Sequence, residues 1–341
     1  MNRIFFIHSN ILTICCYQTV KESLERKEKV IIITNRGYTW PFFEGRVMVY
    51  DFTAIFKGED KNREALHSVK AWKDYKRYKN YRTHLNKVID EIVAKEAFIF
   101  YLPSMALDMT ASFAHNKYCK GYYYVDEGSL SYVSENDLKR YIPNRFKNAI
   151  KSLIGIKDHY HYEMSSKFKG TISITNDAFK WNVNKEKIVN SANGFIEVAK
   201  QDIPCFDKVI LTEYLKQEFD IIVKSINYSI EKIWQENPNF KIGIKIHPQA
   251  ITYNKEKTIA LQQYISNKYA GKITLIPSNV SIEVMSLVYH PTIYSLFEVS
   301  SILLYALLFK SSKTKLIAYN NDSVNILDIK TVEEFNKFLN L

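Results

Sequence analysis

The stretch Tyr122-Tyr123-Tyr124-Val125-Asp126-Glu127-Gly128-Ser129-Leu130-Ser131-Tyr132 decides how this 341-residue chain is read. An aromatic run with strand propensity stops abruptly at two adjacent carboxylates and a glycine. In an open α/β sheet ligands bind in the crevice outside the carboxyl ends of the strands, so a strand that ends this way marks a candidate site. Gly128 can take a positive φ and turn the chain, leaving Asp126 and Glu127 at the strand tip. Side by side the two carboxylates repel, which raises the proton affinity of at least one and suits it to act as a base. The same residues also serve as an acidic turn closing an ordinary strand.

Working outward, strands and helices alternate. Arg3–Ile7 reads as a buried strand, followed by a turn at His8-Ser9-Asn10 and a helix from Ile11 to Lys27. Lys29–Thr34, with its core Val30-Ile31-Ile32-Ile33, is a second buried strand, and Val47–Phe52 a third. Ala97–Leu102 and Lys120–Val125 follow, and Thr171–Thr175 is read as the last strand of this half. Such near-continuous apolar strands alternating with helices predict a parallel sheet covered on both faces. From about Ile188 to Pro204 the pattern weakens, with Asn190, Ser191, Asn193, Gly194 and Pro204 as punctuation, so the boundary between two domains, 1–195 and 196–341, is placed here. A second series then runs Val209–Leu211 (strand), Leu215–Gln235 (helix), Phe240–Ile246 (strand) and Lys255–Lys268 (helix). Ile273–Ile276 (strand), Ile282–Val288 (helix), Thr292–Tyr294 (strand), Glu298–Leu308 (helix) and Thr314–Tyr319 (strand) continue it. A final helix opens with a capping box at Thr331–Glu334, and it is a candidate to pack back on the first domain.

Composition narrows the class. Apolar residues make up 46% of the chain, too many for a disordered protein. The net charge of +11 predicts attraction to anions without choosing among nucleotides, acidic glycans, anionic membranes and nucleic acid. Cys15, Cys16, Cys119 and Cys205 show neither zinc spacing nor a disulfide framework, which points to a reducing cytoplasm. No secretory signal is evident, and the longest apolar run, Val299–Phe309, is too short to span a bilayer. Between about Lys61 and Ala94, Trp72, Tyr75, Tyr78, Leu85, Val88 and Ile92 form one apolar stripe, while Lys70, Lys73, Lys76, Arg77, Lys79 and Arg82 occupy much of the rest. That basic face is a solvated helix surface or a peripheral contact with an anionic membrane, and nucleic acid is the weaker reading. His159 and His161 lack a third nearby ligand, so no metal site is expected there.

In the second half, Lys245-Ile246-His247-Pro248 pairs with the acidic tip. The histidine follows a strand, and Pro248 suits the first turn of a helix, where its missing N–H costs nothing. A phosphate placed there would meet free helix amides and a histidine able to carry charge. His290-Pro291 precedes a strand and would lie at the wrong end of the sheet. Glu283, early in a helix, can accept hydrogen bonds from two ribose hydroxyls or simply favour its own helix terminus. Ser300 and Ser301 can hold a phosphate or satisfy the helix end from Glu298. Two α/β halves, each with a site at its strand tips, predict two Rossmann-like domains facing a cleft. This is the α/β GT-B glycosyltransferase architecture, a layout that also fits other nucleotide-handling enzymes.

Taken in order, Asp126-Glu127-Gly128, Lys245-x-His247-Pro248 and the Ser300-Ser301 pair resemble the motifs of bacterial sialyltransferases. These include the lipooligosaccharide sialyltransferases of family 52 and the polysialyltransferases of family 38. The resemblance spans the core of both halves. It implies that Asp126 is the general base, with Glu127 and Gly128 beside it, and that His247 assists departure of the phosphate of CMP. It further implies that Ser300 and Ser301 bind that phosphate, with Ser295 as an alternative, and that Glu283 holds the ribose. The implied reaction is metal-independent and inverting, with CMP-sialic acid as donor substrate and no cofactor. The implied acceptor is an oligosaccharide ending in galactose or sialic acid on lipooligosaccharide or capsule. A donor carrying Kdo, pseudaminate or legionaminate fits the same motifs, and a CDP-polyol phosphotransferase fits the His-Pro element.

Overall fold

The structure is a computed structural model and describes residues 1–35, 37–56, 83–103, 116–132, 166–182, 184–200, 203–247, 250 and 254–339. The basic segment 61–82, the pair His159 and His161, and Pro248 lie outside the described residues. The chain divides into two compact units, Met1–Phe195 and Ile196–Leu341.

The first unit is built on strands β1 (Asn2–Ile7), β2 (Lys29–Thr34), β3 (Met48–Asp51), β4 (Phe98–Pro103), β5 (Cys119–Val125), β6 (Phe168–Ser173) and β7 (Glu186–Val189). They lie in the order β3-β2-β1-β4-β5-β6-β7, and every pairing is parallel. The chain runs outward from β1 to β3 and then resumes at β4 on the other side of β1. The order therefore reverses between β1 and β4, the switch point at which an open sheet leaves a crevice.

The tyrosine run shows why β5 sits in mid-sheet. Successive side chains of a strand point to opposite faces. Tyr122 and Tyr124 accordingly join Phe98, Phe100 and Phe168 in the core on one face. Tyr123 turns to the other, where its ring stacks on Tyr101 at 5.3 Å and Tyr101 stacks on Phe5 at 4.3 Å. Both faces are thus apolar, as a parallel sheet requires. The sequence reading ended this half at Thr171–Thr175, whereas the sheet extends by β7. That strand is short, polar and at the edge, so it carries no hydrophobic signature. Gly170 makes its pairing possible, because a Cβ there would stand 2.0 Å from the Glu186 carbonyl oxygen. Just past β7, Asn190 donates to the Cys15 carbonyl (2.6 Å) and the Thr19 hydroxyl (2.7 Å), fixing the end of the sheet to the helix Asn10–Glu25.

The second unit repeats the plan with β8 (Lys208–Thr212), β9 (Ile242–Ile246), β10 (Ile273–Leu275), β11 (Thr292–Leu296), β12 (Thr314–Asn320) and β13 (Ser323–Ile329). The order is β10-β9-β8-β11-β12-β13, parallel except for β13, with the reversal between β8 and β11. β13 was absent from the sequence reading. Asn321 and Asp322, at φ 47° and 58°, form the two-residue turn that folds it back on β12. The expected helix Leu215–Gln235 begins instead at Phe219. Leu215 has a left-handed φ of 53°, which no helix residue adopts, and 213–218 is therefore free to line the strand tips. From Phe219 the helix buries Ile222, Ile226, Ile230 and Ile233, spaced to form one stripe in the core beside β12 and β13.

Cys15, Cys16 and Cys119 are buried and Cys205 is exposed. Burial pushes the thiols of Cys15, Cys16 and Cys119 upward, and the charge of Asp126 adds to the effect at Cys15. Among the described residues no helix is long and apolar enough to cross a membrane.

Candidate functional site

In the first unit the sheet delivers the acidic pair to the tip of β5. Asp126 is wholly enclosed, at 0% exposure. Its carboxylate accepts from the Gly128 N–H (3.3 Å) and from the Tyr132 hydroxyl, and its own N–H continues the ladder to the Ile172 carbonyl. Burial and the Asp126 charge hold the Tyr132 hydroxyl in its protonated form, so it stays a donor. Gly128 has φ +157°, a mirror-β value that side chains avoid. Glu127 is the more open of the two carboxylates, with a side chain 23% exposed. Its Oε1 lies 2.8 Å from Nε2 of His8, the residue that follows β1 at the switch point. Two atoms of this pair, His8 Nδ1 and Glu127 Oε2, are buried without a hydrogen-bond partner. A buried polar atom without a partner costs about 1–3 kcal/mol. Sequence reasoning assigned His8 to a turn and missed it, since a lone histidine after a strand has no spacing signal. The reading that Asp126 is the base meets an enclosed carboxylate whose two oxygens are both engaged.

In the second unit Lys245, His247, Glu283 and Ser300 lie along the strand tips. Lys245, near the end of β9, is only 7% exposed, and its ammonium donates to the carbonyls of Pro277 and Val280 (2.9 Å to the latter). Burial lowers its pKa to about 8, with Glu283 pulling the other way. Lys245 thus ties the β9 tip to the loop leading into the helix Ile282–Tyr289, whose first turn carries Glu283. Ser281 caps that helix, accepting from Val284 N–H (3.2 Å) and donating to Glu283 Oε2 (2.7 Å). His247 follows β9 with its N–H on the Thr212 carbonyl (2.9 Å). Burial first, and the Lys245 charge second, lower its pKa, so the unliganded imidazole is the neutral form. His290 lies at the opposite end, as expected, closing the helix in a left-handed conformation (φ 53°) just before β11.

Sequence reasoning overlooked what fills the space between His247 and the serines. Tyr214 and Glu213, directly after β8, occupy the switch point. The Tyr214 ring packs on His247 at 4.8 Å. Glu213 is 8% exposed, and burial pushes its carboxyl up to about 7; Ser300 and Lys216 oppose this and Glu298 adds to it. The Ser300 hydroxyl is buried beside it without a partner at ordinary hydrogen-bond length, while Ser295 donates to the Glu298 carbonyl (2.6 Å). Ser300 stands at the N-cap of the helix Ser301–Leu308, and Ser301 is exposed. Glu213–Gln217 and Leu296–Glu298 line one recess, flanked by two bulky residues at positive φ, Leu215 (53°) and Phe297 (66°). Such backbone costs about 1–3 kcal/mol per residue and gathers at functional sites. Among the described residues no group of three or more His, Cys, Asp or Glu is placed to hold a metal ion.

No family model matches this sequence, and no curated protein matches it. Solved structures do. The GT-B domain of the Photobacterium damselae sialyltransferase (residues 113–497) has a TM-score of 0.52 at 11% identity, covering 99% of this chain and 95% of that one. A second structure of that organism's sialyltransferase has a TM-score of 0.50 at 9% identity, over 95% of this chain and 75% of that one. The UDP-GlcNAc 2-epimerase of Methanocaldococcus jannaschii has a TM-score of 0.48 at 15% identity, over 100% and 92%. The chain therefore has the α/β GT-B fold, with two Rossmann-like units.

Proposed function

We propose that the chain is an inverting glycosyltransferase that takes a sugar from a CMP-activated nonulosonate, sialic acid first, and delivers it to a hydroxyl of an oligosaccharide. The observation that carries this reading is the row across the tips of β9, β8 and β11: His247, Tyr214, Glu213 and Ser300. Lys245 anchors Glu283 at one end of the row, where two ribose hydroxyls can be accepted by a half-buried carboxylate. At the other end the Ser300 hydroxyl, which makes no capping bond, and the N-terminus of its helix suit one phosphate. Approach of that phosphate favours the charged form of His247, which then stabilises the negative charge of CMP as it departs.

The first unit supplies the acceptor side. An anomeric carbon bearing a carboxylate reacts through an oxocarbenium-like transition state, so the enzyme removes the acceptor proton on one face while the phosphate leaves from the other. The β5 tip, with Asp126, Glu127 and Gly128, is the place for that proton transfer. Attachment at an anionic membrane surface through 70–82 and a galactose- or sialic-acid-ended acceptor belong to the same proposal.

Incubation with CMP-linked sialic acid, Kdo, pseudaminate and legionaminate, with galactosides and sialosides as acceptors, tests it by mass spectrometry. Transfer from CMP-sialic acid is the expected result. Transfer only from another CMP-sugar changes the donor, and tighter calorimetric binding of UDP than of CMP overturns the reading.

A further inference from the structure

We propose that His8, oriented by Glu127, is the base that takes the proton from the acceptor hydroxyl. This assignment rests on the transferase reading above. His8 leaves β1 at the reversal of strand order, and Glu127 leaves β5, so two separate strand tips converge on one pair. The imidazole is held tightly: its side chain is 8% exposed, and the Phe6 ring meets it edge-on at 5.3 Å. In the neutral imidazole, Nε2 donates to the carboxylate 2.8 Å away and the lone pair is left on Nδ1. Nδ1 is buried and unpartnered, and Glu127 Oε2 is likewise unpartnered. One vacant acceptor on the imidazole and a second on the carboxylate match a sugar hydroxyl and its neighbour.

The step balances without any further reagent. The acceptor O–H bond breaks as its oxygen forms the new bond to the anomeric carbon, and the proton moves to Nδ1. The bond between that carbon and the phosphate breaks, its electron pair leaving with CMP. Glu127 stabilises the imidazolium that results, as a carboxylate does for the histidine of a hydrolase triad, and the proton passes to water after product release. Asp126 is then a positioning residue. Its carboxylate, gripped by Tyr132 and the Gly128 amide, holds the turn from which Glu127 projects.

The test compares variants with CMP-sialic acid and the best acceptor from the panel, with calorimetric CMP binding as the folding control. His8→Gln is expected to lower kcat by about 10²–10⁴-fold, the range for losing a general base, with CMP affinity unchanged. Added imidazole is expected to restore part of the activity to His8→Ala but none to Glu127→Gln. Asp126→Asn is expected to lower kcat less than His8→Gln does, because it disturbs the turn that carries Glu127 and not the base itself. Nitrogen NMR supplies a readout apart from turnover: the His8 ring shows the Nε2–H tautomer in the parent and a mixture in Glu127→Gln. Transfer by His8→Gln within a few-fold of the parent, or a single Nδ1–H tautomer in the parent, overturns this assignment alone. Absence of transfer from every donor overturns the transferase reading and the assignment with it.

Discussion

Glu213 offers the most direct check on the switch point of the second unit. Its carboxyl is pushed from an ordinary 4.5 up to about 7, mainly by burial. Below pH about 4.5 the group is protonated in the folded and unfolded chains alike and stability is unaffected. Between 4.5 and 7 the folded chain keeps a proton that the unfolded chain has released, so stability falls as pH rises. Above 7 the deficit is complete. The interval from 4.5 to 7 corresponds to about 3 kcal/mol. Glu213→Gln preserves shape and removes the charge, so it is expected to match the parent near pH 4.5 and exceed it by up to about 3 kcal/mol at pH 8. In a unit of this size that is roughly 6–12 °C in melting temperature, at about 2–4 °C per kcal/mol. Scanning calorimetry of both proteins at steps between pH 4.5 and 8 reads the divergence directly. A gap between variant and parent that is the same at both ends of the range would refute the burial argument.

Three further outcomes follow from described contacts. CMP binding at pH 7 is expected to take up protons, because a phosphate beside His247 reverses the lowering caused by burial. Calorimetry in buffers of different ionisation enthalpy measures the uptake, which His247→Gln should reduce. Ser300→Ala is expected to leave thermal stability within about 0.5 kcal/mol of the parent, since the hydroxyl makes no helix-capping bond and only a long contact with Glu213, while CMP affinity falls several-fold. Gly170→Ala is expected to cost about 1–3 kcal/mol or more in a urea melt, since its methyl would meet the Glu186 carbonyl at 2.0 Å and backbone must move.

The parts of this fold that a reader could find in the sequence were those with apolar strands and clear turns. Val30-Ile31-Ile32-Ile33 and the tyrosine run announce buried parallel strands, and each is where the pattern puts it. β7 and β13 escaped because each is an edge strand that mixes apolar with polar residues, β7 over only four positions, and their identity comes from pairing with a neighbour. The site divides in the same way. The positions of Lys245 near the end of a strand, His247 just after it and Glu283 in a first helical turn were legible from the pattern. Glu213 and Tyr214 were read as the approach to a helix that in fact starts later, after a left-handed Leu215. His8 gained meaning only when β5 was seen two strands away from β1, a proximity that no local pattern carries.

The distribution of thiols has a practical consequence. Three of the four cysteines are sealed in the first unit, with thiols held in the unreactive protonated form, and the fourth, Cys205, stands exposed just ahead of β8. A maleimide dye added to the unaltered protein under native conditions should therefore attach once per molecule, at the entrance to the second unit. That gives a fluorescence reporter on the second unit without any engineered residue. Exposure of the other three sites during denaturation then counts the opening of the first unit, one added label at a time.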